Sequence, residues 1–129
     1  MSLEYFLDFI SSYNSHVRAT ALSARGLVVN LLPEVVEQFD AQSKLIAYGF
    51  DRTYKGTICF IMPLEAEVNL GFPRGVELPD PGRLLTRSGK FARHVRLCDP
   101  EDAREPALKA LVEASMALTR QRTAAIKRT

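Results

Sequence analysis

Apolar residues open the chain at three- and four-residue steps, Leu3, Phe6, Leu7 and Ile10, the spacing that lines one face of a helix. Ser2 stands where such a helix needs a cap. The polar run Ser11-Ser12-Tyr13-Asn14-Ser15 then breaks the pattern. Val17, Ala21, Ala24, Val28 and Leu31 restore it and predict a second helix from about His16 to Leu31, which Pro33 stops unless it begins a separate turn.

After Asp40 the residue types change. Leu45-Ile46-Ala47-Tyr48-Gly49-Phe50 and Thr57-Ile58-Cys59-Phe60-Ile61-Met62 are rich in β-branched and aromatic residues and read as strands, with the polar stretch from Asp51 to Gly56 turning the chain between them. Val68, Leu70 and Phe72 alternate with Glu67, Asn69 and Gly71, so a third strand turns one face to the core and the other to water. The short link Pro63-Leu64-Glu65 favours an antiparallel neighbour, since a parallel return needs a long crossover. From Phe72 to Gly89 glycine and proline are too dense for a helix or a central strand, and an ordered loop is predicted. Phe91 to Cys98 returns to strand character, with Val95 and Leu97 on one side and His94 and Arg96 on the other.

Asp99-Pro100-Glu101-Asp102 resembles a helix start, but Pro106 would break a helix launched there, so a short turn comes first. The main C-terminal helix begins near Pro106, burying Leu108, Leu111, Val112, Ser115 and Leu118 and exposing Lys109, Glu113 and Arg120. These elements predict one α+β domain over residues 1–129, a mainly antiparallel sheet of about 4–5 strands flanked by N-terminal helices and a C-terminal helix.

Composition narrows the function classes. The chain is 47% apolar and 25% charged, ordinary for a folded soluble domain, and its net charge of +2 lacks the excess of a dedicated nucleic-acid binder. Single-stranded nucleic acid would want exposed aromatics among the cations, whereas Phe72 and Phe91 look like core anchors. Cys59 and Cys98 each lie in an apolar run and read as free buried thiols, without the dense framework of secreted domains. Glu4 and Asp8 interrupt the N-terminal apolar stretch, so no secretory signal is expected; no apolar run is long enough for a membrane span, and a reducing cytoplasm is the expected compartment.

Candidate chemistry is sparse. Gly82 to Lys90 invites comparison with a phosphate-binding P-loop, but six residues separate Gly82 from Gly89 and Phe91 replaces the magnesium-binding hydroxyl. His16 and His94 are the only imidazole bases available to a nucleophile, and His94, beside Arg93 and Arg96, is the more interesting. No catalytic constellation is visible, and two histidines and two cysteines scattered over four elements lack the pair spacings of a zinc site. The acids Glu34, Glu37 and Asp40, then Glu65 and Glu67, then Asp99, Glu101, Asp102 and Glu105, are the oxygen ligands a hard cation prefers, but solvation of a helix face, a strand's outer face and a helix start is the favoured reading. The main asymmetry lies between Arg74 and Arg96, where Arg74, Arg83, Arg87, Lys90, Arg93 and Arg96 face only Glu77 and Asp80. If the loop folds over the last strand, an anion-accepting pocket forms around Arg74, Lys90, Arg93 and His94; otherwise these charges are a solvated face.

The run from Val68 to Pro81, through Gly71-Phe72-Pro73-Arg74-Gly75 and Leu78-Pro79-Asp80-Pro81, continued by Ser88-Gly89-Lys90 and Arg93-His94-Val95-Arg96-Leu97, resembles the bacterial YdhG-like domain of unknown function. The match is strongest over about residues 67 to 115; the first strand lacks the family's glycine-methionine-proline entry. The resemblance implies a two-layer sandwich of helices on an antiparallel sheet, similar to frataxin, and one branch of the family is regarded as an intracellular iron carrier. Frataxin-type iron binding uses an acidic ridge, while the acids here are dispersed, so no iron ligands are carried across. The family motif nominates Gly75, Asp80, Pro81, Gly89, Lys90, Arg93 and His94. The resulting expectation is a non-catalytic binding module for a small anionic ligand or a protein partner, with a frataxin-like iron-binding carrier as the alternative.

Overall fold

The computed structural model describes residues 3–128, with side chains to residue 124; the proposed cap Ser2 lies outside the described residues. Helix α1 spans Leu3–Phe9 and α2 Ser15–Leu31. Asn14 caps α2, its side chain accepting from the Val17 N–H at 2.9 Å while its amide donates to the Glu65 carbonyl, which ties the helix start to the link after Pro63. Six strands follow: β1 Val36–Asp40, β2 Leu45–Gly49, β3 Thr57–Pro63, β4 Val68–Phe72, β5 Thr86–Arg87 and β6 Arg93–Leu97. Helix α3, Pro106–Arg128, closes the described chain, beginning at the proline the sequence nominated.

The strands form one antiparallel sheet in the order β1-β2-β3-β4-β6-β5. The α+β expectation holds, with six strands in place of 4–5. One addition is the two-residue β5 inside the expected loop. The other is β1, where the sequence suggested only acids on a helix face. Glu37 occupies an inward position of that strand and hides its alternation; its carboxylate is accommodated by Arg25 and Tyr48 and needs no water.

Side chains alternate across the sheet. Ile46, Tyr48, Cys59, Ile61, Val68, Leu70, Phe72, Val95 and Leu97 form the inner layer, all buried. Against it pack Val17, Ala21, Ala24 and Val28 of α2 and Leu108, Leu111 and Val112 of α3. The alanines let α2 approach closely, and each large apolar side chain so covered contributes roughly 1.5–3 kcal/mol. Ser115, buried in α3, donates to the Ile58 carbonyl at 2.7 Å. Leu118 is half-buried and Lys109, Glu113 and Arg120 are exposed.

The turn expected at Asp99 is a short 3-10 helix, Pro100–Arg104, in which the Asp102 carboxylate accepts from the Cys98 and Asp99 N–H groups. Two core expectations need correction. Phe91 is 44% exposed because it sits at the tip region between β5 and β6, beyond the reach of either helix. Cys98 is exposed because it follows Leu97 on the outward alternation of β6, while Cys59 is fully buried and its thiol is pushed up to about 12 by desolvation. No helix among the described residues is long and apolar enough to cross a membrane.

Candidate functional site

Both long helices cover one face of the sheet, so the other face is where side chains remain available. Across its middle runs one row of outward positions, read from the strand register: Gln38, Ala47, Phe60, Gly71, His94 and Thr86. Phe60 lies over Gly71; a Cβ there would stand 2.2 Å from the ring, so glycine is required for the ring to rest on β4. Gly71 and half-buried Asn69 are therefore less wet than the alternation of the third strand suggested.

Over this row opens a cleft of about 620 Å³, within the range of small-molecule sites. Leu45, Ala47 and Phe60 contribute its apolar floor, Tyr54 and Arg52 of the β2–β3 loop overhang it, and Pro73 and Ala92 close one end. That loop is held by Asp51, which accepts from the N–H and hydroxyl of Thr53, and by the Phe50 N–H donating to the Gly56 carbonyl.

The sequence-nominated residues fall into separate places. Arg74 and Lys90 come together at Phe91, with the guanidinium 4.5 Å and the ammonium 5.4 Å from the ring centroid, and Arg74 is ion-paired with Glu77. Arg93 and His94 part company, because neighbours in a strand point to opposite faces. Arg93 pairs with Phe72 on the helix side and donates to the carbonyls of Gly89 and Ala92, whereas His94 stands on the open face. The quartet Arg74, Lys90, Arg93 and His94 thus does not converge in one pocket.

The motif loop is explained by backbone geometry. Gly75 starts a single 3-10 turn, Gly75–Glu77, pressed on β6 so closely that a Cβ would lie 2.4 Å from that of Arg93, and the next N–H, of Val76, donates to the Phe91 carbonyl. Asp80 folds the following turn by accepting from the N–H groups of Leu84 and Leu85 at 2.8 and 2.9 Å. Pro81 precedes Gly82 and Arg83, and it is Arg83 that takes the left-handed conformation, at φ 54°. Gly89 has open space around it and no positive φ.

Two constellations escaped the sequence reading. The Ser88 hydroxyl and His94 Nδ1 lie 2.5 Å apart, brought together by a tight hairpin in which the Ser88 N–H donates to the Ala92 carbonyl. Among the described residues the other ring nitrogen of His94 meets no carboxylate, so the pair supplies two of the three members of a nucleophile triad. The second is the buried group in which Arg25 donates to both Glu37 oxygens, at 2.8 and 3.3 Å, and Tyr48 donates to Oε2 at 2.6 Å. Burial, and then its bond to the Glu37 carboxylate, push the Tyr48 phenol well above its ordinary range. The advance signal was limited to a helix cation, an acid read as lying on a solvated helix face and a strand tyrosine with no assigned partner.

His16 links α2 to the end of β6, its Nε2 lying 2.7 Å from the Cys98 carbonyl and 3.1 Å from Asp99. No three histidine, cysteine, aspartate or glutamate side chains among the described residues are grouped so as to hold a metal ion. No protein-family model, curated protein or solved structure matches this chain, and the resemblance to YdhG-like domains rests on the residue pattern of the loop and last strand.

Proposed function

We propose that this protein is a non-catalytic binding module that holds a small ligand, with an apolar body and an anionic group, on the helix-free face of its sheet. One observation carries the reading: the apolar cleft and the Ser88–His94 pair share that face and one transverse row of residues. Two strand spacings, about 10 Å, separate the Phe60 and His94 positions. An aromatic or aliphatic body over Phe60, Ala47 and Leu45 places its acidic end at the hydroxyl and imidazole. Arg96, on the same face and with its side chain 64% exposed, makes a 3.5 Å contact with Glu67 and is able to turn to the same anion. Arg74 and Lys90, adjoining the cleft end at Pro73 and Ala92, raise the local positive potential without touching the ligand.

Calorimetric titration with naphthyl phosphate, and with neutral naphthol as the control, tests this. The expected result is saturable binding of the phosphate, weakened about tenfold by His94→Ala and abolished by Ala47→Glu, which puts a carboxylate in the floor. Absence of saturable binding, or binding indifferent to both substitutions, rejects the reading.

A further inference from the structure

The two edges of the sheet are unlike each other. β5 is two residues long, exposed and carries Arg87, features that discourage another strand from pairing there. β1 has five residues in unbroken register with β2, no proline, no lysine and no bulge. It is the terminal strand of the sheet, and among the described residues no backbone bond from outside the sheet reaches residues 36–40. A groove of about 790 Å³ follows this free edge, formed by residues 35–39 with Tyr5 of α1 on one side and Arg52 on the other.

We propose that this edge pairs with the same edge of a second copy of the chain, antiparallel about a two-fold axis at Gln38, joining two six-stranded sheets into one. The residues of β1 themselves select that occupant. A two-fold axis normal to the sheet keeps each residue on its own face, so Val36, Gln38 and Asp40, the outward set, meet only one another across the seam. Centring on Glu37 sets two carboxylates opposite each other, and centring on Phe39 leaves three residues in register. Centring on Gln38 uses all five: the two Gln38 amides face each other, Glu37 meets Phe39 and Asp40 meets Val36, with no like charges opposed.

Charge supports the same register. Arg52 lines both the open-face cleft and the edge groove, so it stands at the corner where face and edge meet, and no carboxylate pairs with it among the described residues. Asp40 is exposed on the open face, and hydrogen bonds from Ser43 hold its carboxyl below the ordinary range, so it stays ionised. Across the seam the second copy's Asp40 lies beside Val36, on the face where Arg52 waits. Symmetry makes two such pairs.

Sedimentation velocity of the full chain over a concentration series tests it, with circular dichroism confirming that each variant is folded. The wild type is expected to dimerise and Gln38→Lys, which sets two ammonium groups on the axis, to be monomeric. Arg52→Asp and Asp40→Arg each weaken the dimer about tenfold, two exposed pairs being lost together, and the double variant regains it. Gln38→Cys in a Cys98→Ser background cross-links the two copies on oxidation. A wild type that stays monomeric at its highest soluble concentration overturns the proposal, and so does a dimer that persists in Gln38→Lys.

Discussion

Arginines and aromatic rings meet in two regions of this molecule, under α2 and beyond the end of β4, and the two meetings have opposite physical consequences. Under α2, Arg25 and Tyr48 converge on Glu37 with side chains 12% and 1% exposed for the ion pair, and the Arg25 guanidinium also lies 5.3 Å from the Phe6 ring centroid. Beyond β4, Arg74 and Lys90 share the Phe91 ring, which is itself 44% exposed. Solvent has little access to the first group, so its donors lean on one carboxylate. In the second group Arg74 has Glu77 and both cations have water as alternatives to the ring, so a side chain leaves its partner at little cost. The first region holds β1 on the sheet; the second is free to respond to a ligand.

That contrast is broken most directly at Glu37. Glu37→Ala leaves a mostly buried guanidinium and a fully buried phenol without their acceptor, and urea unfolding is expected to show a loss of about 3 kcal/mol. Removing the Arg74–Glu77 pair by Glu77→Ala is expected to cost under about 1 kcal/mol on the same scale. Equal losses in the two variants mean that the buried group is not what fastens β1.

Much of the fold is legible in strand alternation and helical spacing. Val68, Leu70 and Phe72 point inward because each outward neighbour is polar or small, and α3 starts at Pro106 because a proline fits only the first turn of a helix. β1 was hidden by Glu37, whose partner Arg25 lies twelve positions away on a different element, a pairing that no local period encodes. The candidate site divides in the same way. That Arg93 and His94 diverge is a consequence of the two-residue period of a strand; that His94 finds Ser88 depends on a hairpin closing at Ala92, which composition does not determine. The open-face cleft needs the register of β1 to β4, and register comes from packing of the inner face.

Within the motif loop the contrast is sharpened at Gly75. A Cβ added there would lie 2.4 Å from the β-carbon and 2.9 Å from the backbone nitrogen of Arg93, neither of which is able to swing away as a side-chain tip does. Gly75→Ala is therefore expected to destabilise by about 1–3 kcal/mol, as overpacking does, and to loosen the Val76–Phe91 backbone bond that aligns the basic group. Hydrogen exchange at the Val76 amide reads the second effect apart from the first.

Gly89 is the smallest and most discriminating case. It shares the motif with Gly75, and the resemblance treats the two alike, but nothing lies within 4 Å of the position a Cβ would take and its φ is not positive. Its carbonyl accepts from Arg93 at 3.0 Å, a bond made by backbone and untouched by a methyl group. Gly89→Ala then acts only on the unfolded chain, restricting its freedom, and thermal unfolding is expected to show a gain of about 0.4–1 kcal/mol. A ligand that approaches the hairpin backbone at this residue reverses the balance, since the added methyl then obstructs contact while the free protein is more stable. Stability and naphthyl phosphate affinity measured on the one variant separate a glycine kept for the fold from a glycine kept for close approach: a gain in stability with unchanged affinity leaves Gly89 with neither role.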